Sequence, residues 1–407
     1  MLGWVHLSRN AVARAERALV DGEHGVRDEL GLLAVHQGLA DRLFPGTSVL
    51  HTRLRYVLFV PWLMQRAANG RQGEALRRLA EAERRLAGQL LEGRRQQLDC
   101  DGIIGGLVYP KGAAQPPSFS YWTALGTWNL LRPQPEGATR SRAEVLAALA
   151  RSVRARNWTD DDGLQLSFGS DLPFVGSLPD APSVVGSDKQ PLSFTLQPHE
   201  RRFLKRQLIA VRRPGSASQS LLSRLIEQGA RGASEVPWVK PVLAAADPED
   251  RDALAIARDV AALGAVCRAA YAFLVERLRN KDGCCAPTGD RLPDLEQCLG
   301  LHRTAAASSD IQALRHLLPD LPQRITSALA ETQRWLRAGA RPQSVEDLTA
   351  VYAAAEARKG SRARISVPDT LGAQRRRAEW LPLRHPAARP IQFRWPNVRR
   401  LLADMAS

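Results

Sequence analysis

Hydrophobic residues recur every three or four positions over much of the chain, which predicts amphipathic α-helices. The clearest helix is predicted over residues 71–98, where Leu79, Leu86 and Leu90 follow helical spacing. Other helices are predicted over 10–20, 28–43, 248–279 and 308–338, the last broken near Pro319 and Pro322. The predicted fold class is therefore mainly α, in two helical lobes with short β or wing elements and a long connecting loop.

A stretch over residues 157–191, rich in Gly, Pro, Ser and Asp, interrupts this pattern. A segment of that length without periodicity indicates a linker or a surface loop. A chain of 407 residues also exceeds one ordinary core. We therefore predict an N-terminal helical domain (1–135), a connecting segment and loop (136–191), a second helical domain (192–345), and a basic C-terminal segment (346–407) that packs on the body.

The segment from Phe44 to Trp62 joins a Pro-Gly turn to a helix predicted to begin near Ser48. Near the start of that helix, two arginines and a tyrosine stand among apolar residues, which suits a surface that binds phosphates or a protein partner. The alternative is that this block is buried and that its arginines pair with acids such as Asp28 or Asp41. In that case the block is a structural feature.

Charge points to an anionic partner. The chain has 57 Lys and Arg against 42 Asp and Glu, a net charge of +15. Such a balance favours nucleic acid, although a GC-rich bacterial genome also enriches Arg. Residues 358–400 hold twelve basic and two acidic residues, interleaved with Trp380, Phe393 and Trp395. This pattern is typical of an anion-binding surface. Alternatively, the tail wraps the body and buries these rings as anchors, and both interpretations can be true because rings can anchor while arginines face outward.

From these two regions we predict a set of residues that bind nucleic acid, with DNA favoured. They are Arg53, Arg55, Tyr56, Lys359, Arg362, Arg364, Arg394, Trp395, Arg399 and Arg400.

No catalytic motif stands in the chain: it has no phosphate-binding Walker loop, no dinucleotide-binding fingerprint, no Cys-x-x-Cys pair and no nucleophile elbow. We therefore predict no catalytic residues, no cofactor and no metal. Two alternatives are weaker. The acidic run Asp160–Asp162 could bind Mg²⁺ in a nuclease, but a solvated loop is favoured. Cys284, Cys285, Cys298 and His302 could surround zinc, but adjacent cysteines seldom chelate one ion.

The five cysteines are irregularly spaced, and the sequence shows neither a signal peptide nor an apolar run of the ~20 residues that a membrane span needs. We therefore expect a cytoplasmic protein with reduced thiols and no membrane association.

Several blocks, in a fixed order along nearly the whole chain, resemble one bacterial family known only as a domain of unknown function. They include LGW at 2–4, FPGTS at 44–48, TRLRY at 52–56, FVPW at 59–62, PPSFSYW at 116–122 and FRWPNVRRLLADM at 393–405. Members are often encoded beside helicases and phospholipase-D-like proteins, in loci that resemble phage-defence islands. The resemblance thus implies a role in handling foreign DNA, and it supplies no catalytic residues.

Taken together, these observations favour a non-enzymatic nucleic-acid-binding subunit of a bacterial defence or DNA-processing system. The first alternative is a scaffold whose basic surface docks an acidic partner, such as a helicase or nuclease. The second is a metal-dependent nuclease.

Overall fold

A computed structural model describes residues 30–69, 73–134, 137–155, 172–186, 190–283, 291–380 and 387–407. These residues are mainly helical, which confirms the predicted mainly α class; the two lobes and the wing elements stay predictions. Within them, β-structure is limited to two isolated bridges, Leu131–Phe174 and Arg212–Gln219. The predicted helix over 10–20, the acidic run Asp160–Asp162 and part of the predicted loop lie outside the described residues.

The α-helices in chain order are α1 (Leu33–Leu43), α2 (Tyr56–Ala68), α3 (Ala75–Arg95), α4 (Pro117–Ser120), α5 (Trp122–Thr127), α6 (Arg142–Ala155), α7 (Pro198–Ile209), α8 (Leu221–Glu227), α9 (Lys240–Ala245), α10 (Pro248–Lys281), α11 (Leu292–Ser308), α12 (Ile311–Leu317), α13 (Gln323–Arg337), α14 (Thr349–Glu356), α15 (Leu371–Ala378) and α16 (Trp395–Ala406). Two 3₁₀ helices, Pro342–Leu348 and Ala357–Arg362, flank α14.

The helix predicted over 71–98 is α3, and the break predicted near Pro319 and Pro322 separates α12 from α13. One boundary was wrong: the helix expected from Ser48 begins only at Tyr56, because turns occupy the residues before it. Pro61 lies inside α2 without ending it. A proline removes one backbone hydrogen bond, and the packing that surrounds α2 offsets this loss.

The described chain groups into two units that do not follow chain order. The first comprises Asp41–Glu235 and Arg394–Ser407, and the second comprises residues 30–40 and Val236–Phe393. The division predicted at residues 135, 191 and 345 stays a prediction.

The first unit is built around α2. Its sequence, YVLFVPWLMQRAA, is apolar on all sides, so the helix must be surrounded to remove that surface from water. Helices α3 and α6 pack against it. The ring of Tyr56 lies 5.0 Å from that of Phe194 and 5.4 Å from that of Tyr121, measured between centroids. Tyr121 and Trp122 of PPSFSYW thus belong to the core.

The second unit is built around the long, alanine-rich α10, which α11 and α13 cover. Small side chains let neighbouring segments approach closely; at Gly264 an added Cβ would stand 2.8 Å from Cδ1 of Ile391, which lies in the segment before α16. Trp380 and Phe393 of the basic segment are buried in this unit. The rings of the tail therefore act as anchors, as the alternative interpretation of that segment held.

Candidate nucleic-acid interface

The segment that leads into α2 is held by the buried phenol of Tyr121. Its Oη donates to the Arg53 carbonyl at 2.7 Å and accepts the backbone N–H groups of Thr52 and Arg53 at 2.9 and 3.0 Å. These three bonds satisfy backbone groups that no helix or sheet would satisfy at this point. They also fix the direction in which the Arg53 side chain leaves the chain.

Arg53 is buried between two carboxylates. Its Nε donates to Asp404 Oδ1 at 2.9 Å, and its Nη1 donates to Asp99 Oδ1 at 2.6 Å, with a further bond from Nη2 to Asp99. Burial by itself would lower the pKa of Arg53, but the two carboxylates raise it above its usual value. The Arg53 guanidinium in turn holds the pKa of Asp99 below its usual range. Arg53 is thus a fixed positive charge inside the protein.

Arg55 is buried against a different segment. Its Nη2 donates to Glu200 Oε1 at 2.7 Å and its Nη1 to the Ser193 carbonyl at 2.9 Å. Glu200 is fully buried, and its second oxygen accepts the Gln197 N–H at 2.9 Å at the start of α7. The pair therefore joins the entry of α2 to the first turn of α7.

Arg394 and Trp395 are also buried. Arg394 adopts a left-handed backbone conformation (φ 62°) directly before α16, and its Nη1 donates to Asp41 Oδ1 at 2.6 Å and to the Thr47 carbonyl at 2.8 Å. Trp395 Nε1 donates to the Ser234 carbonyl at 2.9 Å. Both side chains attach the start of α16 to the first unit.

Tyr56 lies in the core, and its Oη accepts the Ile104 N–H at 2.8 Å. Burial raises the pKa of this phenol above its usual value.

Five of the ten predicted binding residues are therefore inside the protein: Arg53, Arg55, Tyr56, Arg394 and Trp395. The arginine block is buried and paired with acids, as the alternative interpretation proposed. The partners differ from the expected Asp28 and Asp41: Arg53 pairs with Asp99 and Asp404, and Arg55 pairs with Glu200. Asp41 pairs with Arg394 instead. Periodicity did not reveal these partners, because the acids lie between 46 and 353 positions away in sequence.

The other five predicted residues lie nearer the surface. Arg362 and Arg400 are exposed, and Lys359, Arg364 and Arg399 are half-buried. Lys359 Nζ pairs with Glu356 at 2.6 Å, and the Arg364 backbone N–H donates to the same buried carboxylate at 2.8 Å. Arg399 Nε donates to the Gly232 carbonyl at 2.9 Å.

Further exposed cations were missing from the predicted set. On α7 and the turn after it these are Arg202, Lys205, Arg206 and Arg212, and on α15 Arg375. The sequence could have indicated the α7 cations, because they fall on the polar face of an amphipathic helix.

The comparison with known families covers most of the chain. Residues 1–275 match the profile of DUF6361, described as a family of unknown function. The chain belongs to this family. Searches of curated proteins and of solved structures found no match.

The DUF6361 match includes Arg53, Arg55 and Tyr56 and ends inside α10. Asp404, which binds Arg53, lies beyond the matched residues, as do all the predicted residues of the basic tail. The DUF6361 region thus uses a carboxylate from outside its own range to neutralise a buried arginine.

His51 is fully buried in the DUF6361 region. Its Nε2 lies 3.1 Å from the Ser120 carbonyl, its ring stacks on Tyr121 at 4.2 Å, and its Nδ1 has no hydrogen-bond partner among the described residues. Burial lowers the pKa of this imidazole from 6.5 to about 3. His51 is therefore a neutral core residue at physiological pH.

Among the described residues, no three His, Cys, Asp or Glu side chains are grouped as metal ligands. Cys284 and Cys285 of the weak zinc hypothesis lie outside those residues. In the same part of the chain, no helix combines the length and apolar character that crossing a membrane requires.

Proposed function

We propose that this DUF6361 protein is a non-enzymatic, nucleic-acid-binding subunit of a bacterial defence or DNA-processing system, acting in the cytoplasm. The observation behind the proposal is the surplus of exposed positive charge. The chain has a net charge of +15, and Arg362 and Arg375 form no ion pair with the described residues. Exposed guanidinium groups without a carboxylate are available to phosphates, and neutralising phosphates releases counterions from nucleic acid.

The ten predicted residues have two roles in this proposal. Arg362 of the second unit and Arg400 of the first unit contact phosphates, as does Arg375, which is not one of the ten. Lys359 and Arg364 flank Arg362 in the sequence, and Arg399 precedes Arg400. Arg53, Arg55, Tyr56, Arg394 and Trp395 stabilise the first unit from inside, because their polar groups already bind the protein. DNA is the favoured ligand.

The test is binding of the full chain to labelled duplex and single-stranded DNA across a salt series, with and without Mg²⁺. We expect an affinity that falls steeply with salt. In the triple variant Arg362→Ala, Arg375→Ala, Arg400→Ala, the slope of log affinity against log salt should be shallower by about three, one for each lost phosphate contact.

The control is a charge-matched variant: Arg77→Ala, Arg95→Ala, Arg334→Ala. Each of these exposed arginines already pairs with a neighbouring glutamate. Equal salt slopes in the two triple variants would contradict a role for the tail arginines. Negligible binding of the unaltered chain would contradict the proposal, and a Mg²⁺-dependent cleavage product would contradict its non-enzymatic part.

One observation favours the scaffold as a second candidate function. Residues 103–111 form a loop whose Leu107 is completely exposed (101%), beside the exposed Val108 and Tyr109. The base of this loop is fixed, because Arg53 Nη1 donates to the Asp101 carbonyl at 3.3 Å and Tyr56 accepts the Ile104 N–H. A rigidly held apolar tip is typical of a protein-docking element.

The scaffold function is tested by pull-down with proteins encoded beside the gene, such as a helicase or nuclease. The double variant Leu107→Ser, Val108→Ser should lose the partner and keep its DNA affinity. Retention of the partner by this variant would exclude the loop as the docking element.

A further inference from the structure

Helix α7, the turn after it and helix α8 form a compact helix–turn–helix arrangement within the first unit. The turn is closed by the bridge between Arg212 and Gln219, with Arg213 N–H donating to the Ser218 carbonyl at 2.9 Å and Ser220 N–H donating to the Val211 carbonyl at 3.1 Å. The inner side is apolar: Phe203, Leu204 and Leu208 of α7 are buried.

The outer side is cationic. Arg202, Lys205 and Arg206 are exposed, and because Lys205 and Arg206 follow Arg202 by three and four positions, both neighbour it on the outer side of α7. Arg212 extends the exposed charge into the turn. None of these four residues forms an ion pair with another described residue.

Helix α7 and the turn after it contain few carboxylates. Glu200 is the single acidic residue between positions 198 and 220, and it is fully buried. Both of its oxygens are engaged, one by Arg55 and one by the Gln197 N–H. On α3, by contrast, exposed Arg77 and Arg95 pair with Glu81 and Glu92 of the same helix. Within α7 itself the positive charge is therefore uncompensated, whereas that on α3 is partly neutralised by glutamates of the same helix.

We propose that this α7 surface, comprising Arg202, Lys205, Arg206 and Arg212, is a second binding surface for the phosphate backbone of nucleic acid. This inference rests on the proposed function and adds to it residues outside the predicted set. Phe203 is the single Phe, Tyr or Trp between positions 198 and 220, and it is buried. The surface therefore offers cations to phosphates without an exposed Phe, Tyr or Trp ring, and phosphate contacts carry no base preference, so its contribution is independent of base sequence.

The buried Arg55–Glu200 pair gives this surface a fixed position. Glu200 holds the first turn of α7 through the Gln197 N–H, and Arg55 holds Glu200 against the entry of α2. Arg55 thus acts as a positioning residue: it touches no ligand and orients the helix that does.

The experiment compares the full chain with the triple variant Arg202→Ala, Lys205→Ala, Arg206→Ala, using two duplexes of equal length and different sequence across a salt series. We expect a salt slope shallower by about three and an equal loss of affinity on both duplexes. The variant should keep the thermal unfolding midpoint of the unaltered chain, because all three side chains are exposed.

The control is again Arg77→Ala, Arg95→Ala, Arg334→Ala, which changes net charge by the same amount. If the α7 variant has the salt slope of this control, the α7 surface does not contact phosphates. A loss confined to one duplex would overturn the sequence-independent contact. Suppose that the unaltered chain binds DNA and that the tail variant (Arg362→Ala, Arg375→Ala, Arg400→Ala) is impaired but the α7 variant is not. This inference then fails and the proposed function stands. If the unaltered chain does not bind DNA, both fail.

Discussion

At the scale of single residues, identical side chains have opposite roles according to their surroundings. Arg53 is 3% exposed and bound by Asp99 and Asp404, whereas Arg400 is exposed. Taking a guanidinium out of water is costly unless carboxylates compensate it, so a buried arginine requires its acids. The conspicuous arginines of the TRLRY block are therefore part of the framework, and the less conspicuous cations of α7 face solvent.

Removing Arg53 should destabilise the protein strongly. Arg53→Ala leaves the buried carboxylate of Asp404 without its partner, which typically costs about 3–5 kcal/mol. The exposed Arg95→Ala, which breaks a surface pair with Glu92, should cost at most about 0.5 kcal/mol. Denaturant unfolding of both variants measures this difference, and similar losses in the two would refute the structural role of Arg53.

His51 should make stability depend on pH. Its pKa is lowered from 6.5 to about 3 in the folded protein, so between these values the unfolded chain binds the proton more readily. Stability should then fall as pH decreases from 6.5 towards 3, by at most roughly 1.4 kcal/mol per pH unit from this group.

The measurement for His51 is the free energy of unfolding across that pH range. His51→Gln, which does not titrate, should show a smaller pH slope than the unaltered chain. His199→Gln, at an exposed position of α7, should keep the original slope. An unchanged slope in the His51 variant would show that the imidazole does not set it.

At the scale of elements, close backbone approaches position the helices. Helix α3 lies against the backbone of Leu192, and the contact is made at Gly93. An added Cβ at Gly93 would lie 2.1 Å from the Leu192 carbonyl oxygen and 2.8 Å from Cys100 Sγ. Backbone cannot move aside as a flexible side chain can. The periodicity of α3 predicts its buried leucines, but the need for a glycine at this position arises from a segment almost 100 residues away.

Gly93→Ala should therefore destabilise the protein by about 1–3 kcal/mol, although alanine is the better helix former. The control is Gly126→Ala in α5, where the nearest atom, Thr139 Cγ2, lies 3.8 Å from the added Cβ. This substitution should be neutral or stabilise by up to about 1 kcal/mol. The thermal unfolding midpoints of the two variants are compared. Equal midpoints would show that the backbone at Leu192 moves away easily from an added Cβ at Gly93.

At the scale of the whole molecule, each unit has one helix covered by its neighbours. In the first unit this is α2, with Val57, Leu58 and Phe59 buried, and in the second it is α10, with Val266, Leu274 and Val275 buried. Amides in such helices open to solvent mainly through the largest unfolding events, whereas exposed elements open locally.

Hydrogen exchange should follow this division. We expect the slowest amide exchange in α2 and α10, and fast exchange in α15 and in the exposed loop around Leu107. Mass spectrometry of peptides from the exchanged chain measures both classes. Exchange in α2 as fast as in α15 would show that α2 is not the stable centre of the first unit.

Periodicity and composition are properties of the chain itself, and they were sufficient to predict the helical class, the positions of α3 and α10, the break between α12 and α13, and the excess of positive charge. Which arginines are buried depends on the fold. Asp99, Asp404, Glu200 and Asp41 reach their partners from distant segments. Burial of a charge depends on such partners, and a pattern along the chain does not contain them.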